Sequence, residues 1–112
     1  MLKTTKQQRM QFRQGDVLIV AASHLPQGAT VRARENGLVI LAYGEVTGHH
    51  HSFSAPGVAL LDAPDGTVYL TIEELTAPLV HQEHAAIAVP QGTYQVVRQR
   101  EYTPEAIRNV AD

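Results

Sequence analysis

Three consecutive histidines are the clearest chemical feature of the sequence. His49, His50 and His51 directly follow Gly48, between two segments whose composition is typical of β-strands. Because side chains alternate between the faces of a strand, His49 and His51 should project to one face and His50 to the other. Two imidazoles on one face can chelate a single metal ion. The pattern predicts that His49 and His51 are metal ligands, with a hydrated surface patch as the alternative.

A second pair of histidines follows about thirty residues later. His81 and His84 are separated by Gln82 and Glu83, with Pro78 before them and Pro90 after them. These prolines leave little room for a helix, so a strand end or a turn must bring the two imidazoles together. We predict that this pair joins the first pair around one ion.

The charge distribution favours a cation near these histidines. Residues 35–97 contain no Lys or Arg, and they hold five of the six histidines. The same stretch contains seven acidic residues, namely Glu35, Glu45, Asp62, Asp65, Glu73, Glu74 and Glu83. The chain has no cysteine, so a metal must be held by imidazole, carboxylate, carbonyl or water. This donor set excludes zinc-finger and ribbon sites and leaves Zn, Mn, Fe or Ni as the expected ion.

Several function classes are compatible with such a site. In a metal-dependent enzyme acting on a small-molecule substrate, Glu83 could be a further ligand, a partner that orients an imidazole, or the general base acting on a metal-bound water. In a structural or binding module, the ion would instead clamp residues 44–54 to residues 78–84 and contribute folding free energy. A third class is an interaction protein without a metal, such as a homo-oligomer, whose histidines lie on the surface or form a pH-sensitive contact.

The elements that must position the histidines are short strands. Apolar runs recur every eight to twelve residues between turns, and Asn36-Gly37 favours a type I′ hairpin turn. The expected strands are residues 16–22, 30–34, 38–42, 45–54, 58–61, 67–72, 78–81, 85–89 and 93–102. The fold class is therefore all-β, a small barrel or sandwich. Residues 104–110 are predicted to form one short helix, since Thr103, Pro104 and Glu105 suit a helix start.

One domain over residues 16–112, preceded by a flexible basic arm over residues 1–15, is the expected organisation for 112 residues. The arm carries four cations without an acid, too few for a nucleic-acid domain. The sequence contains neither an apolar run that could cross a membrane nor a secretion signal, so we expect a cytoplasmic protein. Arg98 and Arg100 share one strand face, which suits either an anion or a subunit contact in a homo-oligomer.

Two segments resemble the motifs of the cupin family. Residues 44–51 place a glycine before a His-x-His pair, and Pro90-Gln91-Gly92 is similar to the second cupin motif. The resemblance covers roughly residues 38–98. It implies a double-stranded β-helix that holds iron, manganese, zinc or nickel, with metal-binding roles for His49 and His51.

Overall fold

The computed structural model of the protein describes residues 10–44 and 46–98, and every regular element in these residues is a β-strand. The strands are β1 (Gln11–Gln14), β2 (Val17–Ala21), β3 (Thr30–Val31), β4 (Val39–Tyr43), β5 (His50–Phe53), β6 (Val58–Asp62), β7 (Val68–Leu79) and β8 (Ile87–Arg98). The predicted all-β class is confirmed. The predicted helix at residues 104–110 lies outside the described residues.

The strands form two antiparallel sheets that pack against each other. The larger sheet has the order β1-β2-β8-β7-β6-β3, and the smaller consists of β4 and β5. An isolated bridge joins Ser52 of β5 to Val80, with backbone hydrogen bonds of 3.0 and 2.9 Å in the two directions. The bridge holds the segment after β7 against β5. It therefore brings the two histidine pairs next to each other.

Apolar side chains from both sheets fill one core. The largest fully buried side chains belong to Tyr94 of β8 and Phe53 of β5. Around them lie apolar residues of the larger sheet, among them Val17, Ile19, Leu70, Ile72, Leu79 and Val89. Because Phe53 packs into this cluster from the smaller sheet, hydrophobic burial fixes β5 against β7 and β8. The histidines that precede Phe53 are thereby held at the edge of the core.

The hairpin turns are formed by the residues that the sequence indicates. Asn36 and Gly37 both have positive φ, 53° and 81°, and Glu35 and Leu38 exchange two backbone hydrogen bonds across the turn. These are the two left-handed positions that a type I′ turn requires. The predicted turn is confirmed, and β6 and β7 form a further antiparallel pair.

Two predictions about the strands are corrected. Residues 11–14, assigned to the flexible arm, form β1 and pair with β2, so the β domain begins before residue 16. Pro90 and Gly92 do not turn the chain, because they lie inside β8. Pro90 is opposite Thr76, beside a bulge in β7 between Ile72 and Thr76. A bulge tolerates the missing amide hydrogen of proline, so a single long strand replaces the two expected there.

The part of the chain that the structure describes contains no helix long and apolar enough to span a membrane.

Candidate metal centre

The four histidines predicted to be ligands line one cavity of ≈ 300 Å³ between β5 and the loop that joins β7 to β8, residues 80–86. We call these four residues the histidine cluster: His49, His51, His81 and His84. The carboxylates of Asp16 and Glu83 and the guanidinium of Arg98 line the same cavity. The two predicted pairs therefore converge.

The imidazole rings of the cluster are neighbours. The ring centroid of His81 lies 4.3 Å from that of His51, 4.7 Å from that of His84 and 5.6 Å from that of His49. The centroids of His51 and His84 are 6.0 Å apart. Metal–nitrogen bonds of about 2.0–2.1 Å in tetrahedral geometry separate the centroids of two coordinating imidazoles by about 5 Å. The observed separations lie on both sides of this value.

Strand alternation distributes the three consecutive histidines as the sequence indicates. His49 and His51 face the cavity, whereas His50 projects away and contacts the hydroxyl of Ser52 with its Nδ1, at 3.0 Å. The backbone N–H of His50 donates to Oε1 of Gln82, at 2.8 Å. This bond ties β5 to the loop that carries His81 and His84. His50 is thus a residue of the strand–loop contact and does not line the cavity.

A buried glutamine determines which nitrogen of His51 carries the proton. The Gln14 side chain is 3 % exposed, and its Nε2 donates to the carbonyls of Leu79 and Ala85, at 2.9 Å each. The amide orientation is fixed by these two bonds, so the atom 2.8 Å from His51 Nδ1 is the acceptor Oε1. Nδ1 must therefore donate. In the neutral ring the lone pair is on Nε2, the usual arrangement of a metal-ligating histidine.

His81 has the opposite hydrogen-bond role at Nδ1. The backbone N–H of Glu83 donates to His81 Nδ1 at 3.0 Å. In the neutral ring of His81 the proton therefore lies on Nε2. Coordination through this Nε2 would require the proton to move to Nδ1, and the Glu83 N–H would lose its acceptor. His81 is therefore a proton donor in the described arrangement.

Two glycines allow the backbone to approach the rings closely. A Cβ atom at Gly15 would lie 2.8 Å from Nε2 of His84 and 3.2 Å from Cε1 of His51. At Gly44 it would lie 3.1 Å from Cβ of His49 and 3.5 Å from Nε2 of His81. A side chain at Gly15 would therefore displace His84. Gly15 also has a φ of 59°, which favours glycine on conformational grounds.

The cluster keeps its buried members uncharged. Burial, together with the neighbouring ring of His81, lowers the pKa of His51 to about 4, although the carboxylate of Asp16 opposes this shift. Burial and the rings of His84 and His49 lower the pKa of His81 as well. Proximity disfavours protonation of more than one ring, because two protonated imidazoles side by side would repel each other. Neutral imidazole is the form that binds metals.

Asp16 places a negatively charged carboxylate on the cavity wall. Its Oδ2 accepts a hydrogen bond from Nε of Arg98 at 3.0 Å, and its Oδ1 lies 3.5 Å from Nε2 of His51. Although burial raises it, the pKa of Asp16 lies below its usual value because of the hydrogen bond and the charge of Arg98. Arg98 also donates from Nη2 to the carbonyl of Tyr43 at 2.9 Å. Asp16 is therefore an oriented carboxylate.

Glu83, predicted as a base or a further ligand, stands at the open side of the cavity. Its side chain is 65 % exposed, and Oε2 lies 3.7 Å from Nδ1 of His49. Within residues 10–44 and 46–98, no three His, Asp or Glu side chains are already arranged so that they could hold a metal ion. The rings are neighbours, yet coordination requires at least the loop side chains to turn.

Sequence reasoning missed three residues of this region. Gln14 and Asp16 flank Gly15 at the turn from β1 to β2, a segment that was assigned partly to the arm. The sequence predicts that Arg98 binds an anion or contacts another subunit, and the structure places it beside Asp16. No local pattern relates these positions to residues 49–51, because the contacts come from packing of the smaller sheet, which contains β5, against the larger one. Arg100 lies outside the described residues.

The fold and the cavity define a small all-β domain with a partly buried histidine cluster. The chain belongs to the family described as a domain of unknown function, DUF8820, which matches residues 13–99 and so includes every residue lining the cavity. No curated protein and no solved structure matches the chain. The cupin assignment therefore still depends on sequence motifs alone.

Proposed function

We propose that this protein binds one divalent transition-metal ion in the cavity between β5 and residues 80–86, through imidazoles of the histidine cluster. The observation that carries the proposal is that all four rings line a single cavity, in which the centroid of His81 lies 4.3 to 5.6 Å from those of the other three. Imidazoles bound to one tetrahedral ion have centroids about 5 Å apart, a value that lies within the range of these separations.

The neutral imidazoles and the net negative charge of the cavity favour binding of a divalent cation over protonation of the rings. Its buried imidazoles are neutral near pH 7, while Asp16 and Glu83 contribute two negative charges and Arg98 contributes one positive charge. A dication satisfies lone pairs and excess negative charge together. Imidazole with some carboxylate suits Zn, Mn, Fe or Ni, and within that set affinity rises from Mn to Ni.

The open side of the cavity favours an ion that keeps an exchangeable position. His84 and Glu83 are exposed, so solvent and a small ligand reach the cluster from their side. If the protein is a metal-dependent enzyme, Glu83 would be the residue placed to act as its general base. Such an enzyme would act on a small-molecule substrate.

A structural role for the ion is the second candidate, and one observation favours it. The isolated bridge between Ser52 and Val80 holds the edge of β5 to the segment after β7 with only two backbone hydrogen bonds. An ion shared by His51 and His84 would link the same two segments. A structural ion should raise the melting temperature strongly, whereas an ion that serves binding or catalysis should raise it little.

The proposal is tested with the full, untagged chain. Elemental mass spectrometry of the purified protein and titration calorimetry with Zn²⁺, Mn²⁺, Fe²⁺ and Ni²⁺ should show about one ion per chain. His51→Ala should lose this binding. His24→Ala is the matched control, because His24 is exposed, does not line the cavity and is hydrogen-bonded to the hydroxyl of Ser23. Absence of stoichiometric binding by all four ions, or equal binding by His51→Ala, would contradict the proposal.

A further inference from the structure

The cavity holds a carboxylate oxygen and an imidazole nitrogen in direct opposition. Asp16 Oδ1 and His51 Nε2 are 3.5 Å apart. The two atoms come from distant parts of the fold, since Asp16 follows the β1–β2 turn and His51 lies in β5. Their side chains are 27 % and 3 % exposed, so the contact is shielded from solvent mainly on the His51 side.

Both atoms carry lone pairs when the His51 ring is neutral. Gln14 Oε1 accepts the Nδ1 proton of His51, which leaves Nε2 without a hydrogen. Arg98 Nε donates to the other oxygen of the carboxylate, Oδ2, and so turns Oδ1 toward the histidine. A divalent cation placed between these two atoms would be attracted by both.

The separation of the two atoms fits a shared ion. Donor atoms bound to one ion at about 2.0–2.2 Å lie roughly 3–3.5 Å from each other, depending on the geometry. The distance of 3.5 Å between Oδ1 and Nε2 is at the upper end of this range. Small movements of either side chain would therefore suffice for coordination.

We propose that Asp16 Oδ1 is a ligand of the same divalent ion that His51 Nε2 binds, with Gln14 and Arg98 as the positioning residues of this ligand pair. The inference rests on the proposed metal binding and assigns a ligand that none of the histidine motifs indicates. It places His51 and Asp16 on the buried wall of the cavity, and the loop histidines complete the ligand set from the opposite side.

A carboxylate in the ligand set changes which ions the site suits. An all-imidazole tetrahedral site is closed and favours Zn, whereas mixed nitrogen and oxygen ligation with open positions suits Fe(II) and Mn as well. The arrangement also gives a role to the hydrogen bond between Arg98 and Asp16. In the metal-free protein, the guanidinium keeps the carboxylate oriented and ionised.

The first test compares Asp16→Asn with Asp65→Asn by calorimetric titration with Mn²⁺ and Zn²⁺. The asparagine amide keeps the size of the side chain, but its single, neutral oxygen can either accept from Arg98 or face His51, so the variant loses the anionic ligand oxygen. Asp65 is an exposed turn residue whose carboxylate accepts from the Thr67 N–H. Asp16→Asn should weaken Mn²⁺ binding at least about 10- to 100-fold, with a smaller loss for Zn²⁺, while Asp65→Asn should match the parent.

A crystal structure of the parent chain with Mn²⁺ supplies a measurement that does not depend on folding of the variant. Asp16 Oδ1 should lie about 2.2 Å from the ion. A parent that binds the ion with Oδ1 beyond about 3 Å, or an Asp16→Asn variant with unchanged affinity, overturns the role of Asp16 and leaves the metal site intact. A parent that binds no ion overturns the proposed function itself.

Discussion

His51 and His81 contact each other, yet their Nδ1 atoms have opposite hydrogen-bond roles. On the β5 side, the Nδ1 of His51 donates to a buried glutamine, and the lone pair of Nε2 faces the cavity. On the loop side, the Nδ1 of His81 accepts from the Glu83 backbone, so Nε2 holds the proton. The strand packed against the core thus fixes His51 in its ligating tautomer. In the loop, the ring of His81 instead accepts a hydrogen bond from a backbone N–H.

The difference has a consequence for metal binding. Coordination by His51 breaks no hydrogen bond of the cluster, whereas coordination by His81 releases the Glu83 N–H. The loss of such a bond costs about 0.5–1.5 kcal/mol. We therefore expect the β5 side to determine affinity and the loop side to change its conformation when the ion binds.

The largest effect should come from replacing the buried member of the cluster. His51→Ala removes a side chain that is 3 % exposed and leaves Gln14 Oε1 without its donor. We expect a loss of metal binding and about 2 kcal/mol of destabilisation of the apoprotein, measured by urea unfolding. His84→Ala, at an exposed position, should change the free energy of unfolding by less than about 0.5 kcal/mol. Equal destabilisation by the two variants would contradict the comparison.

Gln14→Met should have the next largest effect on affinity. Methionine keeps the length of the side chain but cannot accept the Nδ1 proton of His51, so the ring is free to change tautomer. We expect metal affinity to fall about 10- to 100-fold. In ¹⁵N NMR spectra of the parent, the proton of His51 should be on Nδ1, and in the variant it should be shared with Nε2.

Gln91→Met is the control for this variant, because Gln91 Nε2 also donates to a backbone carbonyl, that of Glu73, away from the cavity. A parent spectrum with the His51 proton on Nε2 would remove the basis of the comparison.

A smaller effect should appear in the pH dependence of stability without metal. The pKa of His51 is about 4 in the folded chain and 6.5 in the unfolded chain, so the unfolded chain binds more protons between these values. Stability is therefore complete above about pH 6.5 and decreases as the pH falls toward 4, by at most about 1.4 kcal/mol per pH unit from this residue. Urea unfolding between pH 7 and 4.5 should show this slope.

Four titratable or charged groups face His51. They are His81, His84, Asp16 and Arg98. His51→Ala should flatten the profile, whereas His24→Ala should leave it unchanged. An identical slope in the parent and in His51→Ala would assign the pH dependence to other groups.

The smallest effect concerns a single amide. If His81 becomes a ligand, the N–H of Glu83 loses its acceptor, and its hydrogen exchange should become faster when metal is added. The amide of Ser52, which donates to Val80 in the bridge between the sheets, should exchange at the same rate or more slowly. Unchanged exchange at Glu83 with metal bound would mean that the ion is held without His81.

Local sequence signals predicted much of this protein. Alternation within residues 49–51 predicted which histidines share a face, and Asn36-Gly37 predicted a turn with two left-handed residues. Signals that depend on distant partners failed. The motif Pro90-Gln91-Gly92 is typical of a turn, but pairing with the bulged strand β7 extends it into β8. Gln11–Gln14 is polar enough to suggest an arm, and its pairing with β2 makes it a strand.

By itself, the sequence determined the all-β class and the residue types of the candidate site, because strand period, turn chemistry and side-chain chemistry are local properties. Only the tertiary structure decided that the two histidine pairs share one cavity, since this depends on the pairing of Ser52 with Val80. It also decided the tautomer of His51 and the place of Asp16. Both follow from contacts between residues more than thirty positions apart, which sequence spacing cannot specify.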